Sequence, residues 1–143
     1  MSEIVSIKEN TSSYDMIYQH LKNVEGLYVP PLSTYVNLED YSHKLSNKAD
    51  TIEILFDNNL VGLAAYYNND QYLYLSNISI EKEYLKRGYG TILINRLIEK
   101  SLLYKKKILL EVNKGNTKAI KFYKKHGFMV HKTIDDSYEM CLQ

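Results

Sequence analysis

The sequence predicts a single α/β domain built on a mixed sheet. Three observations carry that prediction. Hydrophobic spacing switches between period two and helical spacing in the order strand, two helices, three strands, helix, strand, helix, two strands. At 143 residues the chain is the size of one ordinary domain, able to bury most of its apolar surface without disulfides or metals. The stretch Leu85-Lys86-Arg87-Gly88-Tyr89-Gly90-Thr91 runs into an apolar stripe of Ile92, Leu93, Ile94, Leu97, Ile98 and Leu102, which is how a glycine-rich turn opens a buried helix.

Taken in order, residues 3–8 place Val5 and Ile7 on one face of a short strand. From Thr11 to Val24 the apolar positions Tyr14, Ile17, Tyr18, Leu21 and Val24 recur at helical spacing, with Ser12 and Ser13 available as caps and Gly26 as the stop. The paired prolines in Leu27-Tyr28-Val29-Pro30-Pro31-Leu32-Ser33 forbid a helix and favour extended or turn backbone. This apolar, aromatic stretch suits a wall of a binding site and a lid over the core equally. A short helix from about Leu38 to Leu45 follows. Residues 51–57 and 60–67 form two strands around Asp57-Asn58-Asn59, and residues 71–80 a third after Asn68-Asn69-Asp70.

The helix from Gly90 to about Tyr104 ends at Lys105-Lys106-Lys107. At 1.5 Å per residue these lysines lie roughly 20 Å from Gly90, so they complement the negative helix end and do not serve the glycine turn. Ile108-Leu109-Leu110-Glu111-Val112 is a short apolar strand interrupted by one carboxylate. After Asn113-Lys114-Gly115, a helix from Asn116 to His126 presents Ala119, Ile120, Phe122 and Tyr123, and Gly127 stops it. Residues 128–132 and 138–142 close the chain as two strands across Asp135-Asp136. There is no repeat, linker or low-complexity segment, so residues 1–143 read as one domain.

Composition excludes several classes of function. A formal charge of +1 argues against nucleic acid or an anionic membrane as the main partner, because both demand a dense basic surface. Cys141 is the only cysteine, and His20, His43, His126 and His131 show no ligand spacing, so neither a disulfide nor a metal centre is expected. No run approaches the roughly 20 apolar residues that span a bilayer, and no signal segment opens the chain, so the expected location is the cytoplasm.

The glycine turn has the chemistry of an anion cradle. The first amides of a helix lack internal partners and point outward at its positive end, and glycines let an anion approach the backbone. Lys86 and Arg87 add charge there. A lone Gly-x-Gly is also what any tight turn requires, so its meaning depends on the residues around it. A triphosphate loop needs Gly-x-x-x-x-Gly-Lys-Ser/Thr, which is absent, and a dinucleotide fingerprint needs a glycine where Leu93 stands.

A third pattern does match. Ile80 to Thr91, with its Gly88-Tyr89-Gly90, resembles the acetyl-CoA-binding motif of the GCN5-related N-acetyltransferases, in which Arg/Gln-x-x-Gly-x-Gly/Ala joins the fourth strand to a helix. The family's second signature, Asn-x-x-Ala-x-x-x-Tyr-x-x-x-Gly-Phe, is matched in register by Asn116, Ala119, Tyr123, Gly127 and Phe128. The local match is best to the branch that includes the ribosomal-protein N-terminal alanine acetyltransferases, whose Leu-Glu-Val strand corresponds to Leu110-Glu111-Val112. Two departures stand out: the family's Arg or Gln falls at Leu85, and its frequent proline at Lys82.

The resemblance implies a mixed twisted sheet of six or seven strands with about four helices and a splay between the fourth and fifth strands. It also implies acetyl-CoA as cofactor. The implied cofactor contacts are Ile78, Ser79 and Ile80 on the fourth strand, Lys86, Arg87, Gly88, Tyr89, Gly90 and Thr91 at the turn, and Asn116, Ala119, Phe122 and Tyr123 on the second-motif helix. Lys86 or Arg87 would compensate for Leu85. Asn116 is also a good helix N-cap, and its side chain can serve only one role at a time.

An amine must be neutral to attack a thioester, and a lysine-like amine of pKa about 10.4 is neutral in only roughly one molecule per thousand near pH 7. Glu111 is the candidate base: a carboxylate in an apolar strand is costly unless paired or functional, and burial would raise its pKa. A solvent-facing Glu111, or one paired with a lysine, is the competing reading. Tyr123 is the implied acid for the leaving thiolate. A phenol near pKa 10 giving its proton to a thiolate near 8.5 goes uphill by roughly 2 kcal/mol, which favours hydrogen-bond stabilisation over full transfer.

For the acceptor, the expected wall is Tyr28, Pro31, Ser33, Ser76 and Asn77, with the Asp135-Asp136 turn beside it. The expected substrate is a small-molecule amine such as an amino sugar, amino acid or polyamine, acetylated directly in a ternary complex by a monomer or homodimer. A protein N-terminal acetyltransferase and a non-catalytic acyl-CoA-binding module are the alternatives.

Overall fold

The computed structural model describes residues 5–143. Seven strands form one sheet: β1 (Val5–Glu9), β2 (Asp50–Phe56), β3 (Asn59–Asn68), β4 (Tyr72–Ile80), β5 (Lys107–Asn113), β6 (Met129–Ile134) and β7 (Ser137–Leu142), in the spatial order β1-β2-β3-β4-β5-β7-β6. Four helices complete the fold: α1 (Tyr14–Val24), α2 (Leu38–Lys48), α3 (Tyr89–Tyr104) and α4 (Thr117–Lys125). The β4–β5 pair is parallel and the others antiparallel. Element order agrees with the sequence reading, except that the expected strand start at Glu3 and Ile4 lies outside the described residues.

Local signals account for the helix boundaries. Ser13 Oγ accepts from the Met16 amide at 3.3 Å and Asn37 Oδ1 from the Asp40 amide at 3.0 Å, so each of the first two helices starts on a side-chain cap. The proline stretch contains a short 3₁₀ turn, Leu32–Thr34, between otherwise irregular segments.

The helices sandwich the sheet. On one face Ile17, Leu21 and Val24 of α1 and Leu45 of α2 pack on Leu55, Leu60, Leu63 and Ala65. On the other, Leu93, Ile94 and Leu97 of α3 and Tyr123 of α4 pack with Ile52, Ile54, Leu73, Leu75, Ile108 and Leu110. Each fully buried aliphatic side chain contributes about 1.5–3 kcal/mol.

One irregularity positions the site. Ala65 pairs with Asn77 and Tyr66 with Leu75, so Ser76 is an extra residue in β4. The bulge exchanges the faces of the strand: Leu73 and Leu75 belong to the α3 core, as do Ile78 and Ile80, while Ser79 reaches His20 of α1. Parallel pairing with β5 runs from Tyr72–Lys107 to Leu75–Leu110 and stops there. Beyond Ser76 the two strands part, which is the expected splay.

Candidate active site

The parting of β4 and β5 leaves two cavities that share Ile78, Ala119 and Tyr123. The first, about 390 Å³, lies between the end of β4 and the start of α3. Of the expected cofactor positions, Ile78, Ser79, Ile80, Lys86, Gly88, Tyr89, Gly90, Thr91, Ala119, Phe122 and Tyr123 line it. Gly88 has φ +82°, a conformation that costs other residues, and it precedes α3 without a side-chain cap. The first-turn amides of α3 therefore remain available to an anion. A Cβ on Gly90 would stand 3.3 Å from Phe122 Cε1, so the turn is pressed on α4 too closely for a larger residue to sit there freely.

Charge is distributed differently from expectation. Lys86 lines the groove, joined by Lys118, which sequence reasoning missed. Arg87 does not: its guanidinium lies 5.2 Å above the Tyr84 ring, outside the lining. Leu85, in the place of the family's cation, lines the groove and is exposed. Thr91 Oγ1 lies 3.3 Å from His126 Nε2, tying the start of α3 to the end of α4. Burial, helped by Lys125, holds the His126 ring below its ordinary pKa.

The second cavity, about 400 Å³, is walled by the rings of Tyr28, Tyr35, Tyr41, Tyr74 and Tyr123, with Ser76, Asn77, Glu111, Asn113 and Asn116 around them. Among the described residues lining it, Glu111 is the only carboxylate, and no lysine, arginine or histidine joins it. Tyr28, Ser76 and Asn77, expected in an acceptor wall, line this cavity. Pro31 and Ser33 are not: both are exposed outside the lining, and Ser33 Oγ donates to Glu25. Their neighbours Val29, Pro30 and Leu32 form the wall instead. Asp135 and Asp136 also lie outside it, where the Asp136 carbonyl accepts from the Lys114 amide at 2.8 Å.

Glu111 corrects one expectation. Ile108, Leu110 and Val112 point into the core, which turns Glu111 to the opposite, exposed side of β5. The argument from burial therefore fails, and its case rests on its place in the cavity wall. Asn116 caps α4, its Oδ1 accepting from the Ala119 amide at 3.3 Å, and it lines the second cavity rather than the groove.

Tyr123 stands where the cavities join. Its ring is fixed by Phe122 and Phe128 at centroid distances of 5.6 and 5.7 Å. Burial, with the nearby Tyr41 phenol adding, pushes its pKa well above the ordinary phenol value. The raised value keeps the phenol protonated at neutral pH, so its hydroxyl can act as a hydrogen-bond donor.

Sequence reasoning also missed Tyr41, whose hydroxyl lies 2.6 Å from Ser76 Oγ, and His20, buried between Glu81 and Ser79. The available signal was that His20 falls on the apolar stripe Ile17–Leu21–Val24, where a polar ring must find partners. No cluster of three metal-ligating side chains occurs among the described residues, and no helix there is long and apolar enough to cross a membrane.

Residues 14–128 match the model of the Acetyltransferase (GNAT) family. The PaiA N-acetyltransferase of Thermoplasma acidophilum, solved in complex with coenzyme A, is 16% identical over 96% of this chain and 99% of its own, with a TM-score of 0.80. The ribosomal-protein-S18-alanine N-acetyltransferase of Escherichia coli is 18% identical over 99% and 93%, with a TM-score of 0.77. Arabidopsis thaliana Naa50, in complex with the bisubstrate analogue CoA-Ac-MVNAL, is 23% identical over 97% and 98%, with a TM-score of 0.70. At these identities the likeness is one of fold.

Proposed function

We propose that this chain, which belongs to the acetyltransferase (GNAT) family, moves an acetyl group from acetyl-CoA to a small primary amine bound in the tyrosine-walled cavity. The observation that carries this reading is the junction itself: a glycine-turn groove and a polar aromatic cavity meet at Ile78, Ala119 and Tyr123. A donor and an acceptor entering from opposite sides meet nowhere else in the lining.

The groove suits acetyl-CoA, which supplies the activated acetyl group and the thiolate leaving group. Amides of the α3 entry and the Lys86 and Lys118 ammonium groups would answer a pyrophosphate, and the backbone of Ile78 and Ser79, which line the groove, would hold the pantetheine arm and polarise a carbonyl. Tyr123 donates a hydrogen bond to the sulfur as charge develops on it. The elevated pKa of its phenol makes complete proton transfer still less favourable than for an ordinary tyrosine. Glu111, at the wall of the amine cavity, takes the proton of the ammonium group directly or through water. Direct attack in a ternary complex is favoured because the only thiol, Cys141, is buried on β7 and lines neither cavity.

The cavity narrows the acceptor class. Aromatic rings and hydroxyls suit a sugar face or an alkyl chain, and Glu111 attracts a cation. No cationic side chain lines it among the described residues, so an acceptor with a carboxylate beside its amine finds no cation to pair with and one carboxylate, Glu111, to repel it. Amino sugars and polyamines are favoured over free amino acids. The test is release of CoA from acetyl-CoA with glucosamine, spermidine, alanine and an alanine-initiated peptide. Turnover of glucosamine or spermidine above alanine supports the proposal. Turnover of the peptide alone transfers the assignment to protein N-termini, and silence with every amine leaves a binding module.

A further inference from the structure

Behind the amine cavity, polar side chains form a continuous line from α1 to the loop that follows it. Glu81 Oε2 lies 3.0 Å from His20 Nδ1, and His20 Nε2 lies 2.8 Å from Ser79 Oγ. Ser79 Oγ lies 2.8 Å from Asn77 Oδ1, and Asn77 Nδ2 lies 2.7 Å from the Tyr28 hydroxyl. His20, Ser79 and Asn77 are buried, and the line reaches partly exposed positions at its two ends, Glu81 and the cavity-lining Tyr28. Acetyl transfer as described above makes no use of His20 or Glu81.

Ser79 has a single proton, and its destination sets the direction of the whole line. When Ser79 donates to Asn77 Oδ1, both nitrogens of His20 must donate, one to Ser79 and one to the Glu81 carboxylate, so the ring is an imidazolium. Asn77 then donates through Nδ2 to Tyr28, and Tyr28 donates to the Ile78 carbonyl at 3.4 Å. When His20 is neutral, Nδ1–H stays on Glu81 and Nε2 accepts the Ser79 proton. Asn77 can then satisfy Ser79 only with its amide turned over, Nδ2 donating to Ser79 and Oδ1 accepting from Tyr28. The Tyr28 proton leaves the Ile78 carbonyl. An amide passes no proton without changing tautomer, so the line orients groups and does not conduct.

We propose that His20 is a positioning residue for the acceptor: acting through Ser79 and Asn77, its protonation decides whether the Tyr28 hydroxyl points at the Ile78 carbonyl or away from it. In the neutral state Tyr28 neither donates to the Ile78 carbonyl nor accepts from Asn77, so these two oxygens, on cavity-lining residues, are freed as acceptors for amine N–H groups. Of the titratable groups on the elements around His20, Glu81 is the one in contact with the ring. Glu53 of β2 is occupied by Thr11, Ser12 and Thr51, His43 of α2 stacks on Tyr14, and the Tyr41 hydroxyl bonds Ser76.

The consequence for substrate rests on the reading of this cavity as the amine site, but the orientation switch is testable on the protein alone. Protein labelled with ¹³C at tyrosine Cζ and histidine Cε1 is titrated from about pH 5 to 9, the range in which histidine charge changes. The Tyr28 signal, assigned by its loss in Tyr28→Phe, is expected to shift with the same midpoint as the His20 signal, assigned by its loss in His20→Gln. In His20→Gln the Tyr28 signal should be flat. Should that variant not fold, Asn77→Ser breaks the line while leaving His20 to titrate, and Tyr28 should again be flat. A Tyr28 signal that ignores the His20 titration, a His20 ring that does not titrate in this range, or a Tyr28 shift that survives either variant overturns the proposal. Failure of the amine panel would count against the cavity assignment and leave these titrations untouched.

Discussion

Glu53, on β2, holds Thr11 twice: its carboxylate accepts from the Thr11 amide at 3.0 Å and from the Thr11 hydroxyl. The Ser12 amide at 3.0 Å and Thr51 Oγ1 at 2.6 Å complete the shell, so the segment entering α1 is anchored on the sheet by one buried carboxylate. Burial works to raise the pKa of Glu53, and the hydrogen bonds together outweigh it and hold the carboxyl below its ordinary value. A depressed value in the folded state means stabilisation that is complete above the unfolded value of about 4.3 and is lost as the pH falls through the folded one. Glu53→Gln replaces an acceptor with a donor opposite donors and should cost about 1–3 kcal/mol near pH 7. Urea unfolding at neutral and acid pH checks this: the gap between the two proteins should narrow on acidification, and a constant gap contradicts the assignment.

Tyr123→Phe keeps the ring between Phe122 and Phe128 and removes only the hydroxyl at the junction of the cavities. The expected result is a fall of about 10²-fold in kcat with little change in KM for acetyl-CoA, as for loss of a proton donor. Because burial holds this phenol above its ordinary pKa, it should add no alkaline limb to the pH profile of kcat below about pH 10. Steady-state kinetics between neutral and alkaline pH reads both, and equal activity would remove Tyr123 from the chemistry.

Glu111→Gln separates a proton acceptor from a mere wall. If the carboxylate takes the amine proton, kcat falls and the acid limb of its pH profile flattens; a contribution of about 10²-fold or more is usual for such a base. If Glu111 only attracts the ammonium group, KM for the amine rises, the effect fades with added salt, and kcat is unchanged. An unchanged pH profile therefore excludes the first role.

Lys86 and Arg87, adjacent in sequence, should differ at the groove. Lys86→Ala removes a lining cation and should weaken CoA binding by about three- to fivefold at low salt, the scale of one partly exposed charge. Arg87→Ala removes a guanidinium that stacks on Tyr84 and should leave CoA affinity nearly as it was. Leu85→Arg should tighten binding by a similar factor to the Lys86 loss. Calorimetric titration with CoA in the three variants is the measurement, and equal losses for Lys86 and Arg87 would show that the side chains share the anion.

The order of elements, the glycine turn, the two motifs and the Asn116 cap were legible from the chain alone, because each depends on residues within a turn or two of one another. Hydrophobic spacing marks a helix or strand locally, and a glycine permits a positive φ, as at Gly88 and Gly127. The rest was decided by packing between distant residues. Ser76 reads as one more strand residue until its pairing with β3 shows it to be the bulge that parts β4 from β5. Leu109 makes the strand around Glu111 look apolar throughout, and only the core on the other side of β5 shows which way the carboxylate turns. His20 and Glu81 stand 61 residues apart, and no spacing rule joins them. Local chemistry determined that there is an anion-cradling glycine turn and a tyrosine-bearing helix, and the family resemblance tied them to acetyl-CoA; the meeting of their cavities, and the polar line behind it, exists only because the folded sheet brings α1, β4 and α4 to one place.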